Sequence, residues 1–357
     1  MKTLICLFIV LVSVPGVSAP LCKSLYSSLK LSVESKKVFS GFIKSPKEDY
    51  LYGEVRVPKR FKNPKGFYLL LHGLLDSSSR WGSVEQGLLE AGYGVIKLDL
   101  LGHGKSLERH YKEKGDLSKE IDYRDQLEAI MAFLKLLKKD YSVERPNVMG
   151  HSYGGGLAMA LAAHPQYSKA IGNQLVLVAP YVYRLDHYHQ IKTVSDSAGF
   201  FTGVVEAWTS EIVKNVGDKM DPITDGFVKD GFSEYLQING MSSRVEESVA
   251  VDAALAVTKG IRDFDARVDV EQIRKVMDVR LIIGSRDTVS PEALEVELYN
   301  SFVGGAKKSL LNIMGAGHLL TTEAPGVIIN WILPEFNQSI YKSYKKDNNI
   351  FEVPFKE

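Results

Sequence analysis

One serine stands between two glycines in the segment Gly150-His151-Ser152-Tyr153-Gly154, which has the form G-x-S-x-G. A short strand-like run at 147–149 precedes the segment, and a helix-forming run at 157–162 follows it. A strand, a sharp turn and a helix in this order strain the backbone at the serine and expose its hydroxyl above the sheet. Glycines are needed on both sides because the turn leaves no room for Cβ atoms. The pattern predicts that Ser152 is a nucleophile.

A serine hydroxyl is a weak nucleophile until a base takes its proton, so this chemistry also needs a base and an acid that orients it. Asp287 follows a predicted strand at 281–283, and His318 follows a predicted strand at 310–313 on a glycine-rich loop. The carboxyl ends of parallel strands meet at one edge of a sheet, so we expect Ser152, Asp287 and His318 to converge there. Taken singly, Asp287 also fits a turn residue or a helix cap, and His318 fits a surface histidine.

A further loop, His72-Gly73-Leu74-Leu75-Asp76-Ser77, follows a predicted strand at 67–71. A loop in this place can aim the backbone N–H of Leu74 at a reacting carbonyl, together with the N–H of Tyr153. Backbone donors suit this task because they are fixed before the negative charge develops. We interpret His72 as a residue that shapes the loop and not as the base.

The segments that must position these residues alternate between strands and helices. Residues 38–43 and 50–57 predict an antiparallel hairpin, and short apolar runs predict buried strands at 67–71, 95–98, 148–149, 175–178, 281–283 and 310–313. Helical spacing is clearest in a set of five apolar residues: Leu127, Ile130, Met131, Leu134 and Leu137. The alternation predicts an α/β fold, with a mostly parallel central sheet and helices on both faces.

One long interval interrupts this alternation. Residues 181–270 contain no strong buried-strand pattern, so we expect a helical cap inserted between core strands. The core is then expected at 36–180 and 271–340, and residues 341–357 are expected to form a C-terminal tail with a solvated Lys- and Asn-rich segment at 345–349. These boundaries place the cap directly after the strand that follows Ser152.

The first residues have the pattern of a secretory signal peptide. Lys2 carries a positive charge, residues 4–14 are almost entirely apolar, and small residues follow at Gly16, Ser18 and Ala19. The apolar run is shorter than a bilayer-spanning helix needs. We therefore expect residues 1–19 to direct export, and the protein to be secreted or periplasmic, with the cleavage site left open.

Composition excludes several functional classes. Of 357 residues, 45% are hydrophobic and 24% are charged, which is typical of globular proteins. Lys and Arg number 44 against 43 Asp and Glu, so no net field would attract nucleic acid. Two cysteines cannot form a disulfide framework or a multi-cysteine zinc site. No metal and no cofactor is indicated.

Jointly, these motifs resemble the α/β-hydrolase fold superfamily, in its capped serine-hydrolase branch of esterases and monoacylglycerol lipases. The likeness spans about residues 38–333 and rests on four features: the loop from His72, the segment Asp99-Leu100-Leu101-Gly102-His103-Gly104-Lys105-Ser106, the Ser152 turn, and Gly284-Ser285-Arg286-Asp287 with Gly317-His318. Glu323-Ala324-Pro325 also fits the helix start typical of the family. The resemblance implies that Ser152, Asp287 and His318 are nucleophile, orienting acid and general base. It also implies oxyanion-hole donors at Leu74 and Tyr153.

The superfamily contains enzymes of different chemistry, and two residues narrow the choice. Haloalkane dehalogenases and epoxide hydrolases have aspartate where this chain has Ser152, and the Gly-Gly-Gly loop of another esterase branch is missing because Leu74 follows His72-Gly73. The resemblance therefore implies hydrolysis of a carboxylic ester, including lipid or acylglycerol esters, through an acyl-enzyme. The expected partner is a small ester or a lipid, without nucleic acid.

Several alternatives stay open at this point. An aminopeptidase or amidase and a cofactor-free haloperoxidase use the same triad, and a non-catalytic binding protein can keep the same fold. Glu206 and Glu211 in the cap are candidates for holding the free amine of a peptidase substrate, although a helix surface explains them equally well. Transient contact of the cap with a membrane surface and the oligomeric state are also left open.

Overall fold

A computed structural model describes most of residues 34–181 and 277–333, together with scattered positions between 253 and 273 and parts of 345–355. Within the two long ranges, residues 75, 116, 118–119, 288 and 303–306 are not described. The predicted signal peptide at 1–19 and most of the predicted cap at 181–270 lie outside the described residues. The domain boundaries given above therefore stay predictions.

The central element is a sheet of ten strands in the described part of the chain. The strands are β1 Ser35–Lys44, β2 Tyr50–Pro58, β3 Phe67–Leu71, β4 Gly94–Asp99, β5 Asn147–His151, β6 Gln174–Val178, β7 Asp278–Gly284, β8 Lys307–Met314, β9 Lys345–Lys346 and β10 Ile350–Pro354. Their order is β1-β2-β4-β3-β5-β6-β7-β8-β10-β9. The strands from β4 to β10 in this order pair in parallel, while β1, β2 and β9 are antiparallel to their neighbours.

Helices follow most of the parallel strands. The described α-helices are α1 Gly82–Glu90, α2 Gly104–Lys114, α3 Tyr123–Tyr141, α4 Tyr153–Ala163, α5 Glu292–Ser301, α6 Leu320–Glu323 and α7 Pro325–Ile332, and 3₁₀ turns occupy Ser78–Trp81 and Tyr167–Ala170. The mostly parallel sheet with its helices confirms the predicted fold class. Within the described ranges, no helix has the length and apolarity that crossing a membrane requires.

The predicted hairpin and the predicted long helix are both confirmed. β1 pairs with β2 in antiparallel register from Ser35 opposite Pro58 to Lys44 opposite Tyr50. All five apolar residues that predicted α3 are buried on one helix face. The helix begins where the Asp122 side chain accepts the N–H of Arg124 at 2.8 Å, which satisfies one otherwise unpaired donor.

The parallel strands are buried on both faces, as their continuous apolar runs predict. In β3, Leu69 and Leu71 belong to the same core cluster as Phe133 of α3. Tyr68 and Leu70 are equally buried but point to the opposite face, because successive strand residues alternate. A layer of core residues therefore lies on each face of the sheet, between the sheet and its helices.

The predicted C-terminal tail at 341–357 contains a strand that the sequence pattern did not indicate. β10 lies beside β8 in parallel register, with Ile350 opposite Leu310. Val353 is buried, and the ring of Phe351 packs on Trp331 with ring centroids 4.8 Å apart. The polar residues before 350–354 gave no sign of a strand. Burial of the apolar residues of 350–354 against the sheet is nevertheless favourable.

Candidate active site

Ser152 lies at the turn between β5 and α4 in a strained conformation, with φ 51° and ψ −121°. Non-glycine residues rarely adopt positive φ, and such strain is concentrated at functional sites. A Cβ atom added to Gly150 would lie 2.1 Å from the carbonyl oxygen of Gly154, and one added to Gly154 would lie 2.1 Å from that of Leu71. The structure thus confirms that both glycines of the motif are needed for space.

Backbone bonds hold the strained residue in place. The N–H of Ser152 donates to the carbonyl of Val178 at 3.0 Å, and its own carbonyl accepts the N–H of Tyr181 at 2.8 Å. Tyr153 is the first residue of α4, so its N–H has no intrahelical partner. The helix N-terminus favours negative charge in front of it. The turn therefore holds the main chain of Ser152 in a fixed position beside the N–H of the first helical residue.

Asp287 and His318 come together at the carboxyl ends of β7 and β8. Nδ1 of His318 lies 2.8 Å from Oδ2 of Asp287, and both side chains are buried. The other carboxylate oxygen accepts the N–H groups of Val289 and Ser290 at 2.8 and 2.7 Å. These two bonds fix the carboxylate plane, so Oδ2 accepts the Nδ1 proton and Nε2 is left as the basic nitrogen.

The loops that carry these two residues are bonded to each other. The N–H of Arg286 donates to the carbonyl of Ala316 at 2.9 Å, and the N–H of Gly315 donates to Oγ of Ser285 at 2.8 Å. A Cβ atom on Gly284 would lie 2.4 Å from the carbonyl oxygen of Gly317. The loops that carry Asp287 and His318 therefore form one close-packed unit.

Glu323 fixes the base loop from the other side. Its two carboxylate oxygens accept the N–H groups of Gly317 at 2.8 Å and of Leu319 at 3.1 Å, the neighbours of His318. The sequence indicated Glu323 only as part of a helix start, and Pro325 does begin α7. Its bonds to the loop were not predicted.

The loop after β3 lies against Ser152, as the oxyanion-hole prediction requires. A Cβ atom on Gly73 would be 3.2 Å from Cβ of Ser152, and Leu74, the next residue, is buried. Nδ1 of His72 donates to the carbonyl of Gly73 at 2.8 Å, while its Nε2 accepts the N–H of Leu100 at 3.0 Å. Burial lowers the pKa of His72 to about 4, so it stays neutral and shapes the loop.

A buried ion pair connects the end of this loop to the segment after His318. Nε of Arg80 donates to Asp76 at 2.6 Å, and Nη1 donates to Oγ1 of Thr322 at 3.1 Å. Burial raises the pKa of the Asp76 carboxyl, and the Arg80 guanidinium opposes that rise. These residues border a polar cavity of about 250 Å³.

His151 also contacts the site, although sequence reasoning gave it no role. Its Nε2 lies 2.9 Å from the carbonyl oxygen of His318, and the two ring centroids are 4.9 Å apart. Its position inside the G-x-S-x-G motif was the available signal. Across the described ranges, no cluster of three or more His, Cys, Asp or Glu side chains is arranged to hold a metal.

Comparison with known proteins agrees with this geometry. The sheet order, the Ser152 turn and the strand-end residues are those of the α/β-hydrolase fold. A family model described as serine aminopeptidase, S33, matches residues 62–325, well over half of the chain. The chain belongs to this family of hydrolases.

The curated relatives match over a shorter stretch. An uncharacterised protein of Mycobacterium tuberculosis is 34% identical over 111 residues, which cover 31% of this chain and 28% of that protein. A monoacylglycerol lipase of Mycolicibacterium smegmatis is 32% identical over 104 residues, 28% of this chain and 34% of the lipase. The chain thus matches about a third of the length of these relatives.

Solved structures share the fold over most of the chain. A hydrolase from Pseudomonas aeruginosa has a TM-score of 0.57 at 17% identity and covers 84% of this chain and 99% of its own. An esterase from Exiguobacterium antarcticum has a TM-score of 0.57 at 16% identity and covers 83% and 99%. At this identity the likeness establishes the fold alone.

Proposed function

We propose that this protein is a serine hydrolase that cleaves carboxylic esters through an acyl-enzyme. The observation that carries the proposal is the buried Asp287–His318 hydrogen bond beside the strained Ser152. A nucleophile, a base and an orienting acid are the parts that acyl transfer needs, and His151, next to Ser152, bonds to the carbonyl of His318.

Each residue has a definite step in this reaction. Nε2 of His318 takes the proton from Ser152 as its oxygen attacks the ester carbonyl, and Asp287 stabilises the imidazolium that forms. The N–H groups of Leu74 and Tyr153 bind the oxyanion. His318 then gives its proton to the leaving alcohol, and water, activated by the same histidine, releases the acid product from the serine ester.

We further propose that the ester belongs to a lipid or an acylglycerol. The support is the likeness to the Mycolicibacterium smegmatis monoacylglycerol lipase over 104 residues and the apolar leader at 1–19, which is consistent with an exported enzyme acting on external esters. Export is tested by sequencing the N-terminus of protein recovered outside the cytoplasm. Recovery of a chain that still begins at Met1, only from the cytoplasm, would contradict it.

Aminopeptidase activity is the second candidate, because the family description names it. The same triad cleaves amides, and the difference lies in substrate binding and not in the nucleophile. A free-amine substrate needs an acidic group near the site, and the predicted cap residues Glu206 and Glu211 are the candidates.

The test compares two substrate series on the purified protein. Acyl esters and monoacylglycerols of increasing chain length form one series, and aminoacyl amides form the other, each with Ser152→Ala as the blank. Ester turnover that is lost by several orders of magnitude in the variant supports the proposal. Turnover of amides with free amines and not of esters would establish the second candidate instead.

A further inference from the structure

The His151 ring lies where three functional segments meet. It directly precedes Ser152 in the chain, its Nε2 meets the carbonyl of His318 at 2.9 Å, and its Nδ1 lies 3.3 Å from where a Cβ of Gly73 would be. The ring is buried and tilts 46° against the His318 ring.

The hydrogen bonds fix the tautomer of His151. A backbone carbonyl can only accept a hydrogen bond. Nε2 of His151 therefore carries the proton and donates a hydrogen bond to the carbonyl oxygen of His318. Nδ1 is then a bare acceptor, and it has no hydrogen-bond partner among the residues that the structure describes. A buried acceptor without a donor is unfavourable, because it has lost its hydrogen bond to water. This unpaired Nδ1 belongs to the same ring whose other nitrogen, Nε2, donates to the base loop.

His151 also stays uncharged while its neighbour changes charge. Burial lowers its pKa well below the usual 6.5, and the nearby His318 lowers it further. The other charged or titratable groups that act on the ring are Arg80 and His72, and both also disfavour a charged His151. His151 is therefore unsuited to accept a proton, whereas the neighbouring ring of His318 has a carboxylate partner.

We infer that His151 is a positioning residue for the general base: its Nε2–H holds the main chain of His318 at the distance from Ser152 that proton transfer needs. The inference rests on the proposed serine-hydrolase function. It adds a hydrogen bond between two residues that are 167 positions apart in sequence, and this bond links the nucleophile turn directly to the base loop. Loss of the donor releases the loop on this side, while Glu323 holds it on the other.

The matched variants are His151→Gln and His151→Met. Glutamine carries an N–H donor at the same number of bonds from Cβ as Nε2, whereas methionine has the same length without any donor. We expect His151→Met to lower kcat for an ester about 10²-fold with little change in KM, because misplacing a catalytic group by about 1 Å has this effect. We expect His151→Gln to restore most of the rate. His164→Met, at the other end of α4, should leave kcat unchanged.

A spectroscopic measurement keeps the inference testable if a variant fails to fold. ¹⁵N spectra of histidine-labelled wild type should show His151 with Nε2 protonated and Nδ1 bare, without titration near the usual histidine pKa of 6.5. Equal loss in the Gln and Met variants, full activity in the Met variant, or a proton on Nδ1 would overturn the role of His151. A folded wild type inactive on every ester and amide would instead overturn the proposed function.

Discussion

Two pairs of buried histidines lie near the strand ends, and their geometries are similar. The rings of His72 and His103 have centroids 5.0 Å apart, and those of His151 and His318 are 4.9 Å apart. All four side chains are buried. The pairs therefore offer a comparison in which burial and ring contact are shared and the bonding partners differ.

The difference lies at Nδ1. In the first pair each Nδ1 meets a backbone carbonyl, at 2.8 and 3.0 Å, while Nδ1 of His318 meets the carboxylate of Asp287. Burial lowers the pKa of His72 to about 4 and that of His103 to about 3. Burial thus keeps both His72 and His103 neutral near pH 7. A carboxylate partner at Nδ1 is what the proposed role of His318 as general base requires.

The largest expected effect comes from Asp287→Asn. This change removes the carboxylate charge that distinguishes the His151–His318 pair from the His72–His103 pair. The amide oxygen can keep the bonds to Val289 and Ser290, and the NH₂ group then faces Nδ1 and favours the wrong tautomer of His318. We expect kcat to fall about 10⁴-fold with the thermal midpoint little changed. A loss under about tenfold in a steady-state ester assay would contradict the role of Asp287 as the acid that orients His318.

The dependence of the free energy of unfolding on acid pH tests whether His72 and His103 are kept neutral. A folded pKa lowered below 6.5 stabilises the protein above that pH, and the stabilisation is lost as pH falls from 6.5 toward 4 for His72 and toward 3 for His103. At pH 5 this amounts to about 2 kcal/mol for each histidine.

Urea unfolding at pH 7.5 and pH 5 measures this loss, and His103→Gln is the comparison. The variant should lose about 2 kcal/mol less between the two pH values than the wild type does. Equal losses in both proteins would mean that His103 is not kept neutral by the fold.

A smaller effect is expected at Gly73, whose loop lies against Ser152 and His151. In Gly73→Ala the new Cβ would lie 3.2 Å from Cβ of Ser152 and 3.3 Å from Nδ1 of His151, so the loop must shift. We expect kcat/KM to fall about 10- to 100-fold. Gly326→Ala is the control, because nothing lies within 4 Å of its Cβ, and it should keep full activity. Equal activity of the two variants would contradict close contact at this loop.

The smallest effect concerns a second carboxyl group, Glu295, which contrasts with Asp287. Burial raises the pKa of Glu295 well above 4.5, and Asp287 raises it further. A raised folded pKa stabilises the protein below pH 4.5, and this stabilisation is lost as the pH rises. Glu295→Gln should therefore raise Tm by about 2–4 °C at pH 8, and by less at pH 5. A variant that melts lower than wild type at pH 8 would indicate that the ionised carboxylate is stabilising.

The sequence was sufficient to predict the strands and the helix that position Ser152. Their apolar runs are short and are bounded by glycine or polar residues, so β3 was predicted with its observed ends. β10 was missed because it is stabilised by β8, forty residues earlier, and its own residues follow a polar run. Pairing partners distant in sequence leave little trace in a local pattern.

The same limit applies to the site. Ser152, Asp287 and His318 stand in recognisable motifs directly after strands, so their convergence could be expected. His151 and its acceptor are 167 residues apart, and the buried neighbour of Asp287, Glu295, lies on a helix of mixed composition. Such contacts arise only when the fold is assembled, and no spacing rule predicts them.

The most direct test of the central claim is reaction of the purified protein with a fluorophosphonate probe, followed by mass spectrometry of the labelled peptide. The account predicts a single adduct on Ser152, rapid labelling near neutral pH, and none in Ser152→Ala. A folded wild type that is not labelled, or a label on another residue, would contradict the assignment of Ser152 as the activated nucleophile.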